Sequence, residues 1–227
     1  MRQRSRRYQK DFESSDGEKA LPLSAALDKL LQWNTTKFDQ SVECVLYLGI
    51  DSRQADQLVR GAVSLPHGIG KAVRVIAFCE GDEVEAAKEA GASEAGGDEL
   101  VAKVQGGWLD FDVAVSHPKL MGKVGKLGRV LGPAGKMPSP KSGTVTPKVA
   151  ETVKEYVSGK IDFRNDSGGN VHAVVGKMKF AKENLEENIT AFLDCIQRLK
   201  PSASKGVYIK KMCLSATMSP SVYVALS

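Results

Sequence analysis

The sequence predicts an α/β and α+β protein of two domains, and three observations carry that prediction. Near both ends of the chain, apolar residues alternate in strands and each arm adds one amphipathic helical pattern. In the middle, continuous apolar strands alternate with helical stretches, as a parallel sheet covered on both faces requires. Gly-marked breaks at Pro66-His67-Gly68 and Ser158-Gly159-Lys160 separate the two regimes. The expected organisation is a two-layer α+β domain assembled from residues 1–67 and 160–227. A Rossmann-like three-layer α/β domain, residues 68–159, is inserted into it on a two-strand hinge.

In the first arm, Leu23, Ala26, Leu27, Leu30 and Leu31 keep helical spacing, and Val42, Cys44, Leu46 and Leu48 alternate as a strand. A short strand over Ala62–Leu65 runs into the first break. The insert opens with strand Val73–Phe78 and a helix over Asp82–Ala90 that Gly91 closes. After a short Glu94-Ala95 segment, Asp98–Val104 reads as a helix and Phe111–Val115 as a second buried strand. Lys119–Leu131 is expected as one helix, its apolar seam (Leu120, Val124, Leu127, Leu131) flanked by a stripe of Lys119, Lys123, Lys126 and Arg129. A Pro/Gly loop carrying Lys136 and Lys141 follows. Thr146 then caps a helix over Pro147–Val157.

The last arm gives strand Ile161–Arg164, a turn over residues 165–170, and strand Val171–Val175. Leu185, Ile189, Phe192, Leu193, Ile196 and Leu199 line a helix stopped before Pro201, and Val207–Ser215 is the final strand. Neither arm has enough elements to cover a sheet alone. Together they do.

The 227 residues are enough to bury real cores, and 42% hydrophobic with 26% charged residues is the composition of a globular protein. No apolar run is long enough to cross a membrane, and RQRSRRYQKDFE leads into no apolar segment, so a cytoplasmic location is expected. Cys44, Cys79, Cys195 and Cys213 have no metal-knuckle spacing and read as small buried hydrophobes. The net charge of +5 makes a polyanionic partner plausible. The surplus belongs to the arms, because residues 68–159 hold 12 basic against 12 acidic side chains. Within that middle, residues 119–159 hold 8 basic against 2 acidic, which polarises it.

An enzymatic reading rests on His117, which follows a buried strand at a sheet edge with Asp110 and Asp112 nearby. Against it, Ser116-His117-Pro118 makes an ordinary helix start. None of the six Gly-Lys pairs has the P-loop's preceding glycine or following Ser/Thr, and no G-x-G-x-x-G follows a strand. No cofactor, metal or catalytic group is expected, and nucleic-acid binding is the favoured class.

The segment GKLGRVLGPAGKMPSPKSGTVT, residues 125–146, resembles the signature of the L-one family, the first protein of the large ribosomal subunit. The resemblance extends through Lys37-Phe38-Asp39-Gln40-Ser41, Leu65-Pro66-His67-Gly68, Gly106-Gly107-Trp108-Leu109-Asp110, Phe163-Arg164-Asn165-Asp166 and Ser215-Ala216-Thr217-Met218. Five positions depart from the family pattern. Ala134 and Lys136 together move a basic charge by two residues, Ser219 replaces a usual glycine, and Ser167-Gly168 replaces a Lys-containing turn. The resemblance implies a component of the large subunit that is monomeric when free and touches no membrane. It also implies large-subunit ribosomal RNA as partner of the arm-built domain, a mobile stalk contacting exit-site tRNA, and translational repression through the protein's own operon mRNA. Lys37, Phe38, Thr217 and Met218 carry over from the family as RNA-binding residues. Arg164, Lys177, Lys210 and Lys211 are candidate phosphate contacts and His172 a compact hydrogen-bonding group. Arg53, Lys126 and Arg129 are the candidate tRNA contacts.

Overall fold

A computed structural model describes residues 4–15, 17 and 19–226. In chain order the elements are α1 (Arg6–Glu13), α2 (Leu23–Gln32), β1 (Ser41–Leu48), β2 (Arg60–Ser64), β3 (Val75–Phe78), α3 (Glu83–Glu89), β4 (Glu94–Gly96), α4 (Asp98–Gln105) and β5 (Val113–Ser116). The short α5 (Met121–Val124) and α6 (Gly128–Leu131) follow, then α7 (Val149–Ser158), β6 (Lys160–Arg164), β7 (Asn170–Lys177), α8 (Lys182–Arg198), β8 (Ile209–Ala216) and β9 (Val222–Val224). The chain forms two compact units, residues 1–70 with 161–227, and residues 71–160.

The first unit is built on a four-stranded antiparallel sheet in the order β7-β1-β8-β9, with a two-stranded β2-β6 ladder beside it. Alternation along β1 sends Val42, Cys44, Leu46 and Leu48 to one face, where α2 and α8 cover them with Leu27, Leu30, Leu185, Ile189 and Phe192. Phe163 meets Phe192 edge-on, with ring centroids 5.7 Å apart. Among the described residues no helix packs over the other face of the sheet, which presents Tyr47, His172 and Lys211 exposed. Where β1 ends, Gly49 is required by a close backbone approach: a Cβ there would lie 2.3 Å from the Val207 carbonyl oxygen.

The second unit is a three-stranded parallel sheet, β4-β3-β5, covered on both faces. Successive residues of β3 point to opposite layers. Ile76 and Phe78 pack with Val104, Phe111 and Leu131, while Val75 and Ala77 pack with Ala87, Val153 and Tyr156. This is the Rossmann-like arrangement expected from the sequence, and the fold class holds in both units.

Two local expectations are corrected. Lys119–Leu131 is not one helix but single turns that alternate between 3-10 and α geometry; new turns start at Gly125 and Gly128, and Gly122 lies within α5. Glycine is the poorest helix former short of proline, and each one here costs about 1 kcal/mol of helical preference. The path stays right-handed, so Leu120, Val124, Leu127 and Leu131 are still buried. Nor does α7 begin at Pro147. It begins at Val149 with Lys148 in the capping position, and the Thr146 hydroxyl accepts the Lys148 N–H at 3.2 Å.

Candidate nucleic-acid interface

The antiparallel registers decide which candidate residues share a surface. Ser41 of β1 pairs with Lys177 of β7, and Thr217 lies beside Ser41 on its other flank. The Lys177 ammonium donates to the Ser41 hydroxyl at 2.8 Å. The Ser41 N–H donates to the Thr217 hydroxyl oxygen at 3.1 Å, and the Thr217 N–H returns a bond to the Ser41 carbonyl at 3.2 Å. One edge of the sheet thus reads Lys177, Ser41, Thr217, three polar side chains held in a row.

Met218 follows directly and is 48% exposed, while Phe38, in the loop ahead of β1, is 52% exposed. Their backbones are held although their side chains are bare. Gln40, fully buried, accepts the Met218 N–H on Oε1 at 2.9 Å, and its Nε2 has no protein partner. The Phe38 carbonyl accepts the Thr36 hydroxyl at 2.8 Å. Lys37 is exposed on the same loop. This edge therefore offers ammonium groups, two hydroxyls and two soft apolar side chains on a rigid frame, a set suited to phosphates, 2′-hydroxyls and base faces.

A second group lies toward the far end of the open sheet face. Lys211 pairs with Tyr47, which is six residues along β1 from Ser41, about 20 Å at the rise of a strand. His172 pairs with Val45 on the same face. A register shift after Tyr47 turns Lys210 as well toward this face, its ammonium 5.4 Å from the Tyr47 ring centre. Arg164 ends β6 and is exposed. The next residue, Asn165, bridges to Val171 and accepts the Val59 N–H at 2.9 Å.

Arg53 also belongs to this end, because its loop is tied to the 165–170 turn through the Ser52 hydroxyl and the Ser167 carbonyl. That turn is closed by Asp166, whose carboxylate accepts the N–H groups of Gly168 and Asn170. Donors from the Asn170 side chain and backbone, then from Gly168 and His172, hold the Asp166 carboxyl below the usual carboxylate range. The nine candidate RNA-binding residues thus fall into two clusters of one unit.

Lys126 and Arg129 are exposed in the other unit, on the alternating turns. Two of the neighbouring cations are occupied. Lys123 is ion-paired with Asp98 at 2.8 Å and Glu80 at 3.2 Å, which raises its pKa. Lys136, to which the basic charge is shifted, points inward to the Leu109 carbonyl, 2.9 Å away, and to that of Phe111.

His117 behaves as a helix-start residue. Its Nδ1 accepts the Lys119 N–H at 3.2 Å, and Glu80 and Glu83 line the shallow pocket beside it. The four cysteines are free thiols, and burial pushes Cys44 upward and Cys79 to about 11. No cluster among the described residues has the composition of a metal site.

Sequence reasoning missed two features of the near edge: the buried Gln40 bracket and the docking of α1. Its Arg7 guanidinium donates to the Met218 carbonyl at 2.7 Å. The run of basic residues at positions 4–10 was the available signal, but it carries no apolar periodicity.

Comparison with known proteins shows the family. A model of the ribosomal protein L1p/L10e family matches residues 30–220. The chain is 52% identical over 222 residues to large ribosomal subunit protein uL1 of a Nocardioides species, covering 98% of this chain and 92% of the relative. It is 53% identical over 221 residues to the protein of that name from Clavibacter michiganensis, covering 97% of each. The Tropheryma whipplei protein of that name matches at 50% over the full length of both chains. A family of ribosomal proteins leaves no place for the enzymatic reading around His117, and the chain belongs to the ribosomal protein L1p/L10e family.

Proposed function

We propose that the chain is a structural component of the large ribosomal subunit that binds its ribosomal RNA through the unit assembled from both chain arms. The observation that carries this reading is the near edge, where Lys177, Ser41 and Thr217 form a bonded row beside the half-bare side chains of Phe38 and Met218. Folded RNA is recognised by shape, 2′-hydroxyls and exposed base faces, and a pre-positioned edge loses little freedom on meeting it. The second cluster, with Arg164, His172, Lys210 and Lys211, extends the contact along the RNA backbone.

On this reading the protein and its RNA element form a mobile stalk that assists release of tRNA from the exit site, with Arg53, Lys126 and Arg129 as transient tRNA contacts. The free protein is a monomer in the cytoplasm, and it represses translation by binding its own operon mRNA in place of ribosomal RNA. The test is filter binding of the full chain to large-subunit ribosomal RNA, with small-subunit RNA as competitor. Phe38→Ala and Met218→Ala are each expected to weaken binding about tenfold, roughly 1.4 kcal/mol. A parent chain without preference for large-subunit RNA sinks the reading.

A further inference from the structure

Helix α1 contributes no side chain to the buried cores among the described residues, yet it is held firmly. Arg7 reaches the Met218 carbonyl at 2.7 Å and the Thr35 hydroxyl at 3.3 Å, and pairs with Asp11 at 3.2 Å one turn on. At the other end of the helix the Trp33 indole donates to the Ser14 hydroxyl at 2.9 Å. Two attachments at opposite ends fix the rotation of a helix about its own axis. What they leave outward is therefore a defined surface.

That surface carries Tyr8 and Phe12 four residues apart on one face of the helix, with Arg4 just ahead of the N-cap Ser5. The Arg4 guanidinium sits 4.4 Å over the Tyr8 ring centre. The Tyr8 and Phe12 rings are within 14° of parallel with centroids 6.2 Å apart, and Phe12 is 59% exposed. A single bare phenylalanine is ordinary on a protein surface. Here it is the open end of a cation–aromatic–aromatic ladder, flanked by exposed Arg6 and Lys10, on a helix bonded to the Met218 loop. An apolar protein partner would strip water from these cations without pairing them. A nucleic-acid strand supplies a base face for Phe12 and phosphates for the cations together.

We propose that α1 is a further RNA-binding element, in which the Arg4–Tyr8–Phe12 ladder stacks an unpaired nucleobase beside the Thr217–Met218 edge. The proposal rests on the RNA-binding reading of that edge and adds a stacking contact of its own. Arg7 acts as a positioning residue, setting the ladder against the edge without touching the base.

The test is filter binding of the full chain to a transcript of large-subunit ribosomal RNA, comparing the parent with Phe12→Ala and Phe12→Trp. Circular dichroism checks that helix content is retained, and Phe12 joins no core, so folding is not at stake. Phe12→Ala is expected to weaken binding about tenfold, within the range that loss of one aromatic–base stack gives. Phe12→Trp is expected to bind as tightly as the parent or tighter. The proposal is overturned if Phe12→Ala binds like the parent, or if Phe12→Trp loses as much as Phe12→Ala. Unchanged RNA affinity with impaired incorporation into the large subunit overturns it too and assigns the ladder to a protein neighbour. A parent chain that does not bind the transcript is a different result, which removes the RNA reading and the ladder with it.

Discussion

The Thr217 hydroxyl accepts the backbone N–H of Ser41 at 3.1 Å, so this side chain finishes the β1 ladder and also faces outward. The hydroxyl proton is turned back only to the Ser41 carbonyl, in a long bond of 3.5 Å that a ligand can displace, and a second lone pair is left for that ligand. Thr217→Val keeps the shape and removes both functions. Water reaches Ser41, so the expected loss of stability is small, under about 1 kcal/mol, whereas a polar partner buried against RNA and left unpaired costs about 1–3 kcal/mol. RNA affinity should fall tenfold or more with an unchanged salt slope, and Thr217→Ser should restore it. Lys211→Ala should instead lower the salt slope, because phosphate contacts act through released counterions. A valine variant that binds like the parent at every salt concentration while its melting temperature drops would make Thr217 purely structural.

Much of this was legible in the sequence, and what was not has a physical reason. Period-two alternation in Val42–Leu48 and the continuous run Val73–Phe78 are local signals, and the strands Ser41–Leu48 and Val75–Phe78 fall within or around them with the expected buried faces. The bond from Ser41 to Thr217 joins positions 176 residues apart, and the Arg7–Met218 bond spans 211. Register across such distances is decided by the whole sheet, so no local pattern announces it. Helix α1 holds on by an arginine rather than an apolar stripe, and periodicity is blind to that. The glycines at 122, 125 and 128 were visible, but the apolar seam around them spoke for a single helix and outweighed them.

Charge on the alternating turns should serve a different step from anchoring. Lys126 and Arg129 are exposed and belong to the unit of residues 71–160. The double change Lys126→Gln and Arg129→Gln is expected to alter affinity for large-subunit ribosomal RNA by less than about threefold, or roughly 0.6 kcal/mol. Dissociation of tRNA from the exit site, followed by stopped-flow fluorescence on reconstituted ribosomes, should change. A large loss in filter binding would move the main RNA surface into this unit.

Acid should loosen the 165–170 turn before it touches either core. Donors from Asn170, then Gly168 and His172, hold the Asp166 carboxyl below the usual range. A depressed folded pKa contributes stability above the unfolded value, about 3.9, and loses it as pH falls through the folded one. The carboxylate is exposed, so the effect is local. Hydrogen exchange of the Gly168 and Asn170 amides should quicken relative to the general acid trend below about pH 4. Asp166→Asn should show quicker exchange already at neutral pH and no such acid step. Equal protection of these amides in parent and variant at neutral pH would mean that the backbone alone closes the turn.

The two units should be separable, because each has its own buried core. Leu27, Leu46, Val171, Leu185 and Phe192 form one cluster with contributions from both arms, while Phe78, Phe111 and Leu131, and Val75, Val153 and Tyr156, form the two layers of the other unit. Every strand of the four-stranded sheet lies outside residues 71–160. Replacing that segment with a short Gly/Ser linker should leave the sheet and its two covering helices intact, since loop-closure cost grows only slowly with length. The shortened protein is expected to unfold cooperatively and to keep ribosomal RNA affinity within about threefold of the parent, or roughly 0.6 kcal/mol. Circular dichroism and filter binding measure the two halves of that statement. A shortened protein that is unfolded, while the isolated 71–160 unit folds, would show that the arms need the insert, and the RNA edge could no longer be assigned to them alone.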